Sequence, residues 1–143
     1  PLALAPEIEA LAATLRKLYR DRHLDIACRV DPGSKFNGDR EDLLELCGNL
    51  LDNACKWARS RVVISVRDAN GMVLAVEDDG PGCSPADLSR ITRRGVRLDE
   101  ATEGHGLGLA IASSIASSYG AEMHFGRSQE LGGFAVTVTF LTT

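Results

Sequence analysis

No apolar run in this sequence approaches the ~18–20 residues a helix needs to cross a bilayer, and no secretory signal precedes the first helix-like segment. The chain opens on Pro1 rather than Met, so a fragment of a longer protein is expected, and the lack of a span says nothing about the parent. Four cysteines (Cys28, Cys47, Cys55 and Cys83) include no CxxC pair, and none stands beside a histidine at metal-ligand spacing. Reduced thiols in a cytoplasmic setting are expected, with Cys47 acting as a small hydrophobe on an apolar helical face. Basic residues are not in excess: 16 Lys and Arg stand against 20 Asp and Glu, for a net charge of -4. That balance argues against a broad nucleic-acid surface. No GK[ST] closes a glycine loop, so there is no Walker A motif, and neither an internal repeat nor a low-complexity tract is present.

What is present suits one compact domain, residues 1–143, able to bury a core without disulfides. Ile8, Leu11, Ala12, Leu15, Leu18 and Tyr19 recur at helical spacing and predict a helix over 6–22. Residues 24–30 alternate like a strand and end in the turn formers Asp31, Pro32, Gly33 and Ser34. Asp39 is placed to cap a second helix over about 40–58. Two β-rich runs, 61–67 and 72–77, flank Asn70-Gly71, which favours a tight hairpin. Residues 83–105 are rich in charged and small residues and read as a long loop with one helical turn near Pro85–Ile91, of a length that is usually functional or mobile. A helix over about 107–119 follows, with Gly120 to end it, and then two strands, 121–126 and 133–140, joined by a turn around Leu131-Gly132-Gly133. Helices packed on one face of a mixed sheet are the simplest solution for this order.

The second helix carries the most chemistry. At about 100° per residue, Glu45, Asn49, Asp52, Asn53 and Lys56 fall on one arc. Leu43, Leu46, Cys47, Leu50, Leu51, Ala54, Trp57 and Ala58 form the core stripe opposite. A solvated polar face is the ordinary reading. Two asparagines one turn apart are poor helix formers, however, and cost stability unless they have a task. An Asn oxygen can ligate Mg²⁺ without adding charge, and Lys56 can meet a phosphate. Asp78-Asp79-Gly80-Pro81-Gly82 follows a strand and also reads as a plain turn. Gly104-His105-Gly106-Leu107-Gly108 precedes a helix, where glycines let a phosphate approach backbone N–H groups. It is not a dinucleotide fingerprint, since no strand directly precedes it.

Together the three segments resemble the GHKL ATPase superfamily of gyrase, heat-shock chaperone, histidine kinase and MutL proteins. The N box is ExxxNLLxNAxK from Glu45 to Lys56. The G1 box is DxGxG at Asp78, Gly80 and Gly82, and the G2 box is GxGxG at Gly104, Gly106 and Gly108. The resemblance covers about residues 6–140. NLLDNACKW and GLGLAIA are similar to the histidine kinase branch, and VEDDGPG to PhoQ-type sensor kinases. The implied fold is the Bergerat two-layer α/β sandwich, a mixed and mostly antiparallel sheet covered on one face by three helices.

The resemblance implies that Asp78 reads the adenine amino group of ATP, that Asn49 and Asn53 hold Mg²⁺ and the phosphates, and that Lys56 contacts phosphate. Gly80 and Gly82 would pass close to the nucleotide. Gly104, His105, Gly106, Leu107 and Gly108 would shape the lid, 83–105, and the phosphate-facing helix start. Trp57 stands where the family has an aromatic near adenine, and it also fits the core. Glu45 would orient the target histidine or accept its proton. Arg94 and Arg97 match lid arginines that neutralise the transferred phosphoryl group. The F-box phenylalanine is absent: Thr92 stands near its place, with Ile91 or Leu98 as replacements.

The implied activity is that of a protein-histidine kinase in a two-component system, passing phosphate to a response regulator receiver domain. His23, His105 and His124 are the histidines here, and none lies in a phosphoacceptor context. The acceptor would therefore sit on a separate dimerisation domain of the same protein. The parent would be a homodimer anchored in the bacterial inner membrane, and this fragment a cytoplasmic monomer. Two alternatives are a GHKL serine kinase of the anti-sigma type and a non-catalytic nucleotide-sensing module.

Overall fold

The computed structural model describes residues 1–68, 70–82 and 106–141, with side chains of the last stretch from Gly108 onward. The expected lid lies outside the described residues, and so do Cys83, Thr92 and the two lid arginines.

The order is β1 (Leu2–Ala3), α1 (Leu4–Leu18), a 3-10 turn (Arg20–Arg22), β2 (Asp25–Val30), β3 (Lys35–Phe36) and α2 (Arg40–Trp57). Then come β4 (Arg61–Asp68), β5 (Met72–Asp78), α3 (Gly106–Ser118), β6 (Glu122–Arg127) and β7 (Phe134–Phe140). Five strands form one sheet in the order β2-β4-β5-β7-β6. β2 runs parallel to β4, and the other neighbours are antiparallel. The sheet is therefore mixed and mostly antiparallel, with the three described α-helices on one face, as expected.

Period-2 alternation decides which face is buried. Ile26, Val62, Ile64, Val66, Leu74, Val76, Val136 and Val138 point to the helices and join Ile8, Leu43, Leu46, Leu50, Leu51 and Leu109 in one cluster. Each such large apolar side chain contributes about 1.5–3 kcal/mol when removed from water. At the hairpin, Asn70 (φ 48°) and Gly71 (φ 112°) take left-handed conformations that suit these two residue types.

Two expectations about α1 change. The helix starts at Leu4 because Leu2 and Ala3 pair with Phe36 and Lys35 in a two-stranded ladder, and Leu4 N–H donates to the Ser34 carbonyl at 3.0 Å. It ends at Leu18, which is 68% exposed rather than part of the core stripe. The chain then tightens into the 3-10 turn and leaves it through His23 at φ 53°.

The cap of α2 is as expected, with Asp39 Oδ1 accepting from Glu41 N–H at 2.9 Å. Asp42, three residues further on, makes a longer-range contact. It accepts from the Tyr119 hydroxyl at 2.6 Å and ties the end of α3 to the start of α2. α3 stops at Gly120 (φ 69°), where Gly120 N–H donates to Ser117 and Ala121 N–H to Ala116.

Candidate functional site

The second helix, the loop after β5 and the start of α3 meet at one end of the sheet, together with the turn before β7. β5 runs toward α2 and delivers Asp78 on its helix-facing side, in step with Met72, Leu74 and Val76. Asp78 is only 1% exposed. Its Oδ1 accepts from Gly80 N–H at 2.8 Å and from Phe134 N–H at 3.3 Å. Among the described residues, Oδ2 accepts nothing. Burial pushes the Asp78 carboxyl above its ordinary value; the two amide hydrogen bonds pull the other way, and neighbouring Asp79 adds to the rise.

Glycines let the chain crowd this carboxylate. A Cβ on Gly80 would strike the Trp57 carbonyl, and one on Gly133 would lie 2.6 Å from both Asp78 Oδ1 and the Gly80 nitrogen. Gly82, at φ 70°, lies against Gly133. Gly133 belongs to the site by contact, although the sequence presents it as part of the Leu131-Gly132-Gly133 turn. The doubled glycine was the available signal.

Along α2, Glu45 is exposed, Asn49 half-buried, Lys56 exposed and Trp57 half-buried. Asn53 was expected on the open polar arc but is 8% exposed, although Glu45, Asp52 and Lys56 on the same arc are exposed. Among the described residues its amide has no hydrogen-bond partner, a costly state for a buried polar group. Asn49 Nδ2 donates to the Glu45 carbonyl at 2.7 Å. Only the NH₂ of an amide can donate, so this bond fixes the side chain and leaves Oδ1 as an available acceptor. That oxygen would lie 3.6 Å from a Cβ on Gly108, in the first turn of α3.

Lys56 Nζ sits 5.9 Å from the centroid of the Trp57 ring. Asp52, on the same arc, accepts from the Tyr19 hydroxyl at 2.7 Å and so links α1 to α2. Gly106 and Leu107 open α3. Arg94, Arg97, Gly104 and His105 lie outside the described residues.

Asp79 was not singled out by sequence. Its Oδ1 accepts from the amides of Arg59 (2.8 Å), Ser60 (3.0 Å) and Arg61 (3.1 Å), and its Oδ2 from the Ser60 hydroxyl at 2.8 Å. Partial burial opposes its charge, but the hydrogen bonds from Ser60, Arg61 and Arg59 outweigh that and bring the carboxyl down to about 2. This clamp fixes the junction of α2 and β4 against the loop after β5.

The residues present fit a nucleotide with a divalent cation. The site offers a buried carboxylate oxygen for an N–H donor, a buried amide unpartnered among the described residues, an oriented neutral amide oxygen of the hard type Mg²⁺ accepts, and glycines that let the chain pack closely around the carboxylate. Among the described residues, no group of three or more His, Cys, Asp and Glu side chains is placed to hold a metal. Cys28, Cys47 and Cys55 are free, and burial pushes the Cys47 and Cys55 thiols up to about 12. A concavity of about 360 Å³ opens near the other end of β5, lined by Phe36, Met72, Tyr119 and Phe140 among others; none of the predicted site residues lines it. No described helix is long and apolar enough to cross a membrane.

The profile of the family described as "Histidine kinase-, DNA gyrase B-, and HSP90-like ATPase" matches residues 38–143. Sensor protein kinase CarS of Pseudomonas aeruginosa is 49% identical over 135 residues, covering 94% of this chain and 30% of CarS. Sensor protein PhoQ of Escherichia coli is 37% identical over 138 residues, covering 96% of this chain and 28% of PhoQ. The solved catalytic domain of histidine kinase ThkA aligns over 98% of this chain and 94% of its own, with a TM-score of 0.80 at 17% identity, a likeness of fold. The chain spans less than a third of the length of CarS or PhoQ.

Proposed function

The chain belongs to the histidine kinase-, DNA gyrase B- and HSP90-like ATPase family, as an ATP-binding catalytic domain of the sensor kinase type, and from that premise we propose that Asp78 reads the adenine of ATP while Asn49 and Asn53 manage its phosphates through Mg²⁺. Asp78 carries the proposal: a carboxylate 1% exposed, with one oxygen committed to two amides and the other uncommitted among the described residues. A folded chain tolerates such a group where a ligand supplies the missing donor. The exocyclic amine of adenine is a donor of that kind.

Asn49 and Asn53 would hold the cation, and Lys56 would add positive charge at the phosphate end. When bound, Mg²⁺ offsets the negative charge on the phosphate oxygens. Trp57, whose carbonyl lies against Gly80, would flank the adenine. Gly80 and Gly82 would let the chain pass close to the base. Gly106, Leu107 and Gly108 would present the α3 N-terminus to phosphate, and Gly104 and His105 would complete the lid of 83–105. Arg94 and Arg97 are proposed to neutralise the transferred phosphoryl group, and Glu45 to orient the target histidine or accept its proton.

The acceptor would be a histidine on the dimerisation domain of the same protein, with relay to a response regulator receiver domain. The kinship with sensor kinases supports histidine rather than serine as the target. It also supports a membrane-anchored homodimeric parent with this domain in the cytoplasm.

Calorimetric titration with ADP tests the site, with and without Mg²⁺. The unmodified chain should bind in both conditions and more tightly with the cation. In Asn49→Ala/Asn53→Ala the Mg²⁺-dependent gain should vanish, while Mg²⁺-free affinity stays within roughly threefold, a change worth under 1 kcal/mol. A chain that ignores ADP would end the proposal.

A further inference from the structure

Glu77 and Asp78 are adjacent in β5 and so face opposite sides of the sheet. Asp78 enters the site, whereas Glu77 points to the side the helices leave open. There its Oε1 accepts from the Ser128 hydroxyl at 2.8 Å, and that hydroxyl in turn accepts from Leu131 N–H at 3.0 Å. Ser128 is 1% exposed. Its backbone closes the same turn, with Ser128 N–H donating to the Gly133 carbonyl at 2.7 Å and Gly132 N–H to the Ser128 carbonyl at 2.8 Å. The turn between β6 and β7 is thus held from inside by one serine and fastened to the sheet by one glutamate.

The far end of that turn is Gly133, the residue pressed against the Asp78 carboxylate, followed by Phe134, whose N–H donates to Asp78 Oδ1. A chain of contacts therefore runs from Glu77 through Ser128 and Gly133 to the carboxylate on the other side of the strand. Through Phe134 it joins Gly80 in committing Oδ1 to the protein.

We propose that Glu77 and Ser128 are positioning residues for base recognition, holding the turn so that Gly133 and Phe134 aim the uncommitted oxygen of Asp78 at the 6-amino group of a purine. Neither residue touches the nucleotide. The inference rests on the reading of Asp78 as the adenine contact. A carboxylate aimed by its surroundings discriminates between bases only while those surroundings hold it to within a few tenths of an ångström. Loosening the turn should blunt discrimination before it abolishes binding.

The test is the ratio of affinities for ADP and inosine diphosphate, which carries a carbonyl where ADP carries the amine. Both are titrated calorimetrically into the unmodified chain, Glu77→Ala, Glu77→Gln and Ser128→Ala. The unmodified chain should prefer ADP. Glu77→Ala and Ser128→Ala should lose on the order of five- to tenfold of that preference, the size of one hydrogen bond, with affinity for inosine diphosphate nearly unchanged. Glu77→Gln keeps an acceptor oxygen and should keep the preference. Glu77 is half-buried on the open face, so its variants remain informative if Ser128→Ala fails to fold. Equal losses for both nucleotides, or an undiminished preference in Glu77→Ala, would overturn the inference. No preference in the unmodified chain would instead sink the reading of Asp78 itself, and this inference with it.

Discussion

Asp78 and Asp79 are consecutive, yet the first turns under α2 and keeps one oxygen uncommitted, while the second turns to the α2–β4 junction and binds three consecutive amides and a hydroxyl. Burial raises the carboxyl of Asp78, whereas hydrogen bonds to the charged form, outweighing partial burial, lower that of Asp79 to about 2. The same side chain thus serves two ends. The fold bears a cost at Asp78 in exchange for binding capacity, and it gains stability from Asp79, which holds the neighbouring segments in register. An acidic pair in a turn does not by itself say which member does which. The difference arises from alternation along the strand, which sends one carboxylate into the core and leaves the other at the strand's exit.

Removing the charge of Asp78 should give the largest functional effect. Asp78→Asn should weaken ADP binding by roughly 10- to 100-fold, the range for a hydrogen bond to a charged group. It should leave the melting temperature unchanged or raised, because a buried charge has gone. Calorimetry and a thermal melt read the two together, and a large fall in melting temperature with unaltered affinity would erase the distinction between the two aspartates.

Asp79→Ala should show the reverse pattern. Three amides lose their acceptor, and the stability lost should be about 1–2 kcal/mol after allowance for solvent screening, with a smaller loss of ADP affinity than Asp78→Asn. The pH dependence carries the sign. Because the folded value of Asp79 lies below its ordinary 3.8, its stabilisation is complete above that value and is lost as pH falls toward about 2. Asp78 runs the other way: with its folded value raised above the ordinary 3.8, stability falls as pH rises from there through the raised value. Urea unfolding from pH 6 down to pH 2 should therefore show the gap between the unmodified chain and Asp79→Ala closing toward the acid end. A gap that widened there would contradict the assignment.

The smallest effect is expected at a third carboxylate. Glu130 meets Arg29 in a two-pronged pair at 2.9 and 2.8 Å, with about half of each side chain exposed. Exposed pairs contribute about 0–1 kcal/mol. Arg29→Ala should leave the urea unfolding midpoint nearly unchanged, because solvent screens an exposed pair, and should leave the ADP preference intact. A larger shift would mean that the turn carrying Gly133 is tethered at its tip as well as through Ser128.

Much of this was legible in the chain. The spacing of Glu45, Asn49, Asn53 and Lys56 put them on one arc of a helix, Asp39 announced that helix, and Asn70-Gly71 announced the hairpin. Each of these is a local rule about angle per residue or about φ. The burial of Asn53 was not legible, because periodicity gives direction and not what lies in that direction. Gly133 looked like a turn residue, since its contact is with a carboxylate 55 positions earlier. Leu18 fitted the apolar period of α1 but fell beyond the helix's last packed turn.

The sequence by itself determined the three α-helices and the five strands of the main sheet, their order and the three segments that carry polar chemistry, since local torsions and side-chain periodicity are written in neighbouring residues, but not the short β1–β3 ladder. Only the tertiary structure decided that Asn53 is enclosed, that Asp79 clamps while Asp78 waits, and that Glu77 acts across the sheet from the site. Those outcomes depend on distances between segments far apart in the chain, which are set when helices and strands pack and water is expelled from between them.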